Sequence, residues 1–202
     1  MNEIDSVFDI YQPYKYKILD FRNMQGGVLK NVYKVASYLI NDTVFGGSFR
    51  TQKCYLNEIS INSKANFPTL QNIDFNTFTE ILKQEDGVNI ELFPNKHTQI
   101  PANQKIYMLT NNKTASAGEP LVYGLQKSGN AVLVGERTAG AILSPDVFDV
   151  GCGYFLAVPI AEYVTADGQT IEGKGIAPNV KIKSEKALDW VYKELGITEL
   201  TK

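Results

Sequence analysis

The chain has 202 residues, of which 44% are hydrophobic and 21% charged, a composition typical of a globular domain with a sizeable core. Twenty basic and 22 acidic residues give a formal net charge of −2, which does not favour nucleic acid or an anionic membrane surface as a partner. No apolar run approaches the roughly 20 residues that a membrane-spanning helix needs. Cys54 and Cys152 lack the spacing of a metal site, and we predict two unpaired thiols.

The first predicted elements are the end of a helix, a strand and a second helix. Residues 4–14 mix apolar and polar positions and include a turn at Pro13, and the apolar run 16–21 predicts a buried strand. Gly26 and Gly27 follow that strand. Apolar residues then recur at the spacing of a helix face, at Val28, Val32, Val35, Ala36 and Leu39. This order predicts a strand, a glycine turn and a helix.

Between residues 41 and 98 the pattern is weaker, and aromatic residues and asparagine are frequent. Residues 45–47 and 54–61 have turn and strand character, which predicts a hairpin. Residues 75–82 carry apolar side chains at helical spacing, which predicts a short helix.

A strand, a turn with one serine and a helix are predicted next. The short apolar run 106–110 is bounded by turn residues, as expected for a buried strand. A helical pattern follows, with proline in its first turn and glycine at its end, in Pro120, Leu121, Val122, Leu125 and Gly129. Ser116 lies between the two elements, so we predict that it is presented at a strand-to-helix turn.

That position suits a nucleophile for a physical reason. The first turn of a helix has unpaired amides and the positive end of the helix dipole, and both stabilise an alkoxide and the oxyanion that it generates. The alternative for Ser116 is an ordinary helix cap, for which serine is a preferred residue. The local pattern alone leaves both interpretations open.

Strands and a final helix are predicted for the remainder of the chain. Residues 131–135 predict a buried strand, and two further strands over 147–150 and 154–160 are joined by a turn. An edge strand over 180–182 precedes an amphipathic helix over 186–195, whose apolar stripe is most simply a packing face.

Five stretches, in this order, carry a resemblance to a known family. They are residues 18–27 (ILDFRNMQGG), 112–119 (NKTASAGE), 134–140 (VGERTAG), 154–160 (YFLAVPI) and 168–179 (GQTIEGKGIAPN). Together they resemble the C-terminal processing (tail-specific) serine peptidases and their tricorn-like and retinoid-binding-protein-like relatives. The resemblance implies an α/β fold with a crotonase/ClpP-like core of stacked β-sheets and flanking helices. It also implies Ser116 as the nucleophile and no metal or cofactor.

The resemblance further implies where the oxyanion of the reaction would bind. Gly26 or Gly27 would supply one backbone amide and Ala117 the other. Glycine has no Cβ to block the approach of a substrate carbonyl, and it accepts positive φ. A tight turn without a ligand is the alternative for the two glycines.

The general base is the part of the catalytic set that the sequence does not reveal. In the best-known branch of the family the base is a lysine, but Ala141 stands at that position and Pro145 stands where an assisting glutamine would fall. The tricorn-like branch pairs its serine with a histidine and a glutamate, and Glu172 matches that glutamate. The chain therefore resembles the tricorn-like branch more than the Ser/Lys branch. A glutamate at the end of a surface strand is the alternative for Glu172.

Two candidate bases remain. His97 is the only histidine and falls in a polar loop, where a solvated surface residue is the alternative. Lys174 would have to be desolvated to lose its proton near neutral pH. The histidine of the tricorn-like branch lies upstream of the 18–27 stretch, so we expect the chain to be a fragment that lacks an upstream module. A relative that has lost peptidase activity is the alternative.

These observations predict a serine endopeptidase that hydrolyses protein or peptide substrates through an acyl-enzyme on Ser116. The alternative is a catalytically inactive homologue that binds peptides or small ligands, and the ordered serine motif argues against an acyl-CoA enzyme. We expect one peptidase core over residues 1–202, with 41–98 as a variable insertion or lid, and a substrate that pairs with a sheet edge. Nucleic acid is not expected as a partner, and the sequence leaves an oligomer open. The resemblance predicts export to the periplasm or cell envelope, although the sequence has no signal-peptide pattern.

Overall fold

Six helices and nine strands form the part of the chain that the computed structural model describes, which is residues 3–60, 64–70, 74–95, 100–101 and 104–197. The helices are α1 (Glu3–Tyr11), α2 (Leu29–Ser37), α3 (Gln52–Leu56), α4 (Phe75–Gln84), α5 (Gly118–Lys127) and α6 (Ala187–Glu194), the last preceded by a 3-10 turn at Ser184–Lys186. The strands are β1 (Tyr16–Asp20), β2 (Val44–Thr51), β3 (Thr69–Leu70), β4 (Gly87–Leu92), β5 (Lys105–Thr110), β6 (Ala131–Gly135), β7 (Ser144–Gly151), β8 (Tyr154–Thr165) and β9 (Val180–Lys181).

The first sheet is parallel, with the strand order β1, β5, β6, β9. Successive side chains of β5 face opposite sides of this sheet. Ile106 and Met108 join the main core, whereas Tyr107 and Leu109 pack in a second cluster with α6. A parallel sheet needs cover on both faces, which explains why the strand sequences are almost continuously apolar.

The second sheet has five strands in the order β3, β4, β2, β8, β7, antiparallel except for the β3–β4 pair. Helix α5 contacts strands of both sheets. It approaches β4 closely because residue 124 is glycine, since a Cβ there would lie 2.3 Å from Leu92 Cδ1. The start of α5, two residues after Ser116, packs in the main core through Ala117 and Leu121.

The predicted α/β architecture of two sheets with flanking helices is confirmed. The strands predicted at 106–110 and 131–135 are β5 and β6, and the helix predicted between them is α5. Helices α4 and α6 also occur where the apolar spacing predicts them.

The hairpin predicted within residues 45–61 is wrong. One long strand, β2, covers this position, and α3 follows it at once. Gly47 makes no turn; its φ of +135° accompanies a close approach of β8, where a Cβ would lie 2.2 Å from Val164 O. Strands β2 and β4 lie in the middle of the second sheet and contribute to the main core. Whether residues 41–98 vary among relatives stays a prediction.

Strands β7 and β8 form a hairpin that extends beyond the rest of their sheet. The predicted turn joins the two strands through Cys152 and Gly153, after Gly151 at the end of β7, and β8 pairs with β2 over 161–165. Large apolar side chains are exposed on the projecting part, namely Val147, Phe148, Val150, Tyr154, Phe155 and Leu156. Strand β7 is the outer strand of the second sheet on this side.

The two cysteines are free, as predicted, with Cys54 buried and Cys152 exposed. Within the described ranges, no helix has the length and apolar character required to cross a membrane.

The turn after β8 gives a testable dependence of stability on pH. Asp167 accepts hydrogen bonds from the hydroxyls of Thr165 (2.6 Å) and Tyr123 (2.8 Å), and these bonds, the Thr165 bond above all, lower the pKa of its carboxyl. A pKa that is lower in the folded state stabilises the fold above the unfolded-state value of about 3.9, and this contribution is lost as pH falls through the folded-state pKa. We expect Asp167→Asn to lower Tm near neutral pH, and this Tm difference to shrink in acid.

Thermal melting between neutral pH and about pH 2 measures this difference, because this range extends below the unfolded-state pKa of about 3.9 towards the lowered folded-state pKa. Asp189→Asn is the control, because the exposed Asp189 carboxylate makes no hydrogen bond or ion pair with the described residues. A Tm difference between parent and Asp167→Asn that is constant over this range would contradict the prediction.

Candidate active site

Two turns from different parts of the chain meet at the candidate site. One follows β1 and spans residues 21–28, and the other follows β5 and spans residues 111–117. Because β1 and β5 are neighbouring parallel strands, their carboxyl ends lie at the same edge of the sheet. The turns contact each other directly, since Ala115 N donates to Met24 O (2.9 Å). Ser116 is therefore next to the glycine turn.

Ser116 is exposed and has a left-handed φ of +54°. A helix-capping serine would instead have an extended backbone and a side-chain bond to the first turn. Here Ala117 occupies the cap position of α5 and no side-chain cap bond is made, so Ser116 does not act as an ordinary cap. A non-glycine residue with a left-handed backbone raises the free energy of the folded state by about 1–3 kcal/mol. Such residues concentrate at functional sites.

Three backbone amides beside Ser116 donate no hydrogen bond to any described residue, those of Gly26, Gly27 and Ala117. Gly27, Ser116 and Ala117 line the same cleft, which has a volume of about 200 Å³. Gly26 lies against the serine side chain, because a Cβ at this residue would be 2.8 Å from Ser116 Cβ. The structure thus brings together the four residues that the sequence associates with nucleophilic attack and oxyanion binding.

The remainder of this cleft is mainly apolar. Its lining comes from α2, β2, α4 and the segment that leads into β7, with Val28, Leu29, Phe49, Phe75, Phe78, Ile142, Leu143, Ser144 and Pro145. Apolar walls next to an exposed hydroxyl suit a substrate that inserts an apolar side chain beside the reacting group.

A buried carboxylate fixes the glycine-rich loop next to the serine. Glu119 is completely buried, and it accepts hydrogen bonds from the Thr138 hydroxyl (2.6 Å), Gly140 N (2.8 Å) and Ala141 N (2.9 Å). Ala141 O in turn accepts a hydrogen bond from Ser116 N (3.0 Å). Glu119 is not among the predicted site residues, and its sequence signal is its place at the end of the 112–119 stretch, three residues after the serine.

Glu172 holds the next part of the same loop. Its Oε2 accepts hydrogen bonds from Ile142 N (2.8 Å) and Leu143 N (3.2 Å), two residues that line the cleft. The Oε1 atom makes no hydrogen bond with the described residues. Glu172 is thus beside the cleft, and its support of a catalytic base stays a prediction.

The described residues contain no evident general base for Ser116. Lys174 is exposed and lines a different pocket from Ser116, so the structure does not bring it to the cleft. Its Nζ lies 3.5 Å from the Thr170 hydroxyl. His97 lies outside the described residues. Within the described ranges, no group of three His, Cys, Asp or Glu side chains is arranged to hold a metal ion.

An exposed serine in a strained turn between a strand and a helix, with free amides beside it, is typical of serine hydrolases. The sequence model of peptidase family S41 matches residues 2–182. The chain therefore belongs to peptidase family S41, and the predicted family is confirmed.

Named relatives agree with this assignment. Carboxyl-terminal-processing peptidase 1, chloroplastic, of Arabidopsis thaliana is 40% identical over 76 residues, which is 38% of this chain and 16% of the relative. The carboxy-terminal processing protease CtpA of Bacillus subtilis is 38% identical over 74 residues, which is 37% of this chain and 16% of the relative.

A solved structure supports the same fold. The photosystem II D1 C-terminal processing protease superposes with a TM-score of 0.60 and 24% sequence identity, covering 96% of this chain and 42% of the protease. The chain thus spans less than half of that protease, and the matched segments span about a sixth of the two named relatives.

Proposed function

We propose that this chain carries the nucleophile and oxyanion hole of a serine endopeptidase that cleaves protein or peptide substrates. The observation that carries the proposal is the exposed, left-handed Ser116 beside free amides of Gly27 and Ala117 in one cleft. Membership of a peptidase family supports the reaction class.

The proposed reaction has two steps. Ser116 Oγ attacks the carbonyl carbon of the scissile bond, and the hydroxyl proton of Ser116 passes to a general base. The resulting oxyanion accepts one hydrogen bond from Ala117 N and another from either Gly27 N or Gly26 N. The base then gives the proton to the leaving amine, the C–N bond breaks and an acyl-enzyme remains. Water hydrolyses this ester by the same route. Glu172 would orient the base, which is His97 or a group outside this chain.

A peptide substrate has two suitable surfaces at this cleft. The apolar lining favours an apolar side chain next to the scissile bond. Strand β7 begins in the cleft at Ser144 and is the outer strand of its sheet, so an extended peptide would pair with its free backbone groups.

The setting of this core within a larger protein is also part of the proposal. We propose residues 1–202 as one peptidase core of the tricorn-like branch, accompanied by an upstream module that supplies or positions the base. The family resemblance favours export.

Active-site labelling with a fluorophosphonate tests the proposed function. We expect mass spectrometry to find an adduct on the peptide that contains Ser116, because the phosphorus centre reacts much faster with an activated serine than with an ordinary hydroxyl. Ser116→Ala is the control and should give no adduct at that peptide. The chain and any longer product of its gene should both be tested, since labelling of the longer product alone would place the base outside this chain. Absence of an adduct in both would overturn the peptidase proposal and favour an inactive peptide-binding homologue.

A further inference from the structure

A pair of asparagines joins the two turns that form the candidate site. Asn111 follows β5 and Asn23 follows β1, and they are 88 positions apart in the sequence. Asn111 Nδ2 donates to Asn23 Oδ1 (3.1 Å), and Asn111 Oδ1 accepts from Asn23 N (3.0 Å) and from Lys113 N (3.0 Å). One buried amide side chain thus binds the backbone of both turns at once.

Both turns need this kind of fixation because each contains a strained residue. Asn23 has a φ of +64° and Ser116 has a φ of +54°. Left-handed residues lie in a narrow, costly region, and they persist only where surrounding contacts determine the backbone. Asn23 precedes the glycine pair, and Asn111 begins the turn that ends in Ser116 and Ala117.

The remaining contacts between the turns do not depend on these two side chains. The Thr114 hydroxyl donates to Phe21 O (2.8 Å), and Ala115 N donates to Met24 O (2.9 Å). The strands β1 and β5 are also paired from Tyr16–Lys105 to Asp20–Leu109. Loss of the Asn111 side chain should therefore let the turns shift relative to each other without separating the sheet.

We infer that Asn111, through its reciprocal bonds with Asn23, is a positioning residue that sets the distance between the two halves of the oxyanion hole. The inference rests on the proposed function. Amides contribute to oxyanion binding when they lie 2.7–3.1 Å from the developing charge, and a displacement of about 1 Å costs about 100-fold in rate. Ground-state binding of a peptide in the apolar part of the cleft does not use these amides and should be less sensitive.

Two measurements separate positioning from general structural support. The first is the second-order rate constant for fluorophosphonate labelling of Ser116 in Asn111→Ala. The second is the affinity of an unreactive apolar peptide for Asn111→Ala in a Ser116→Ala background, by fluorescence anisotropy. We expect labelling to slow by about 10- to 100-fold, because the oxyanion donors are displaced, whereas peptide affinity changes by less than about threefold because the cleft walls are intact.

Asn112→Ala is the matched control, because Asn112 lies in the same turn with an exposed side chain that makes no hydrogen bond with the described residues. Asn23→Gly keeps the left-handed backbone and the bond from residue 23 N to Asn111 Oδ1, so it should slow labelling less than Asn111→Ala does. The Asn23→Gly variant also tests the inference if Asn111→Ala does not fold.

The outcomes distinguish this inference from the proposed function. Normal labelling in both Asn111→Ala and Asn23→Gly would overturn the inference and leave the peptidase proposal intact. Equal losses of labelling and peptide affinity would also overturn it, because they indicate general loss of structure. A parent chain and longer product that are never labelled would overturn the proposed function and, with it, this inference.

Discussion

Replacing Gly26 by alanine is expected to slow labelling of Ser116 by at least about 100-fold, because the nucleophile would be displaced from its attacking position. The added Cβ would lie 2.8 Å from Ser116 Cβ and 3.1 Å from Ser116 Oγ. Ser116 cannot easily move away, because Ser116 N is bonded to Ala141 O and its carbonyl to Glu119 N. Alanine also fits poorly at a φ of +127°, which favours glycine.

The backbone cost of this substitution is of order 1–3 kcal/mol, less than the usual stability of a domain, so we expect the variant to fold. Gly129→Ala is the matched control for backbone strain. Gly129 also has a positive φ, +76°, but a Cβ there would meet nothing within 4 Å, and the residue is remote from the cleft. It should keep the labelling rate of the parent. If a folded Gly26→Ala variant is labelled at the parent rate, the added Cβ does not displace Ser116 and the prediction is wrong.

The strand, turn and helix around Ser116 are predictable from the sequence because their signals are local. A short apolar run followed by an apolar helical pattern with proline and glycine at its ends fixes β5 and α5 within a few residues. The left-handed φ of Ser116 is not predictable in this way. It depends on Ala141 O, which accepts the Ser116 N hydrogen bond from a loop that follows the next strand.

Strand β4 shows why the middle of the chain resists prediction. Its sequence, GVNIEL, contains Asn89 and Glu91, which obscure the pattern of a buried strand. Asn89 tolerates burial because its side chain accepts a hydrogen bond from the Ser48 hydroxyl and donates to Ala65 O and Phe67 O. All three partners come from other segments, so only the tertiary structure explains this polar residue in the core.

The role of Glu119 is also not predictable from the sequence, because its hydrogen-bond partners come from another segment of the chain. An acidic residue in the first turn of a helix normally stays at the surface and interacts with the helix dipole. Here residues 138–141 cover Glu119, and the Thr138 hydroxyl and the amides of Gly140 and Ala141 donate hydrogen bonds to its carboxylate. The sequence therefore predicts the serine but not the carboxylate that fixes the loop beside it.

Replacing Glu119 by alanine is expected to lower the free energy of unfolding by about 4 kcal/mol, because it leaves three buried donors without an acceptor at about 1–3 kcal/mol each. A loss of this size is a large fraction of the 5–15 kcal/mol typical of a domain. Glu119→Gln is the informative second variant, since it keeps the shape of the side chain and one acceptor oxygen. The NH₂ group of the new amide would face at least one of the three donors, which would then have no acceptor. We therefore expect the free energy of unfolding of Glu119→Gln to fall by about 2 kcal/mol.

Urea unfolding of both variants measures the stability change, and the labelling rate of Ser116 in Glu119→Gln measures the effect on the site. Labelling should slow because the loop that carries Ala141 O, the acceptor for Ser116 N, is no longer fixed. Glu136→Gln is the control, because the Glu136 carboxylate makes no hydrogen bond or ion pair with the described residues. If Glu119→Gln is destabilised but labelled at the parent rate, the carboxylate supports the core without positioning the serine. If it matches the control in both measurements, the three hydrogen bonds contribute to neither.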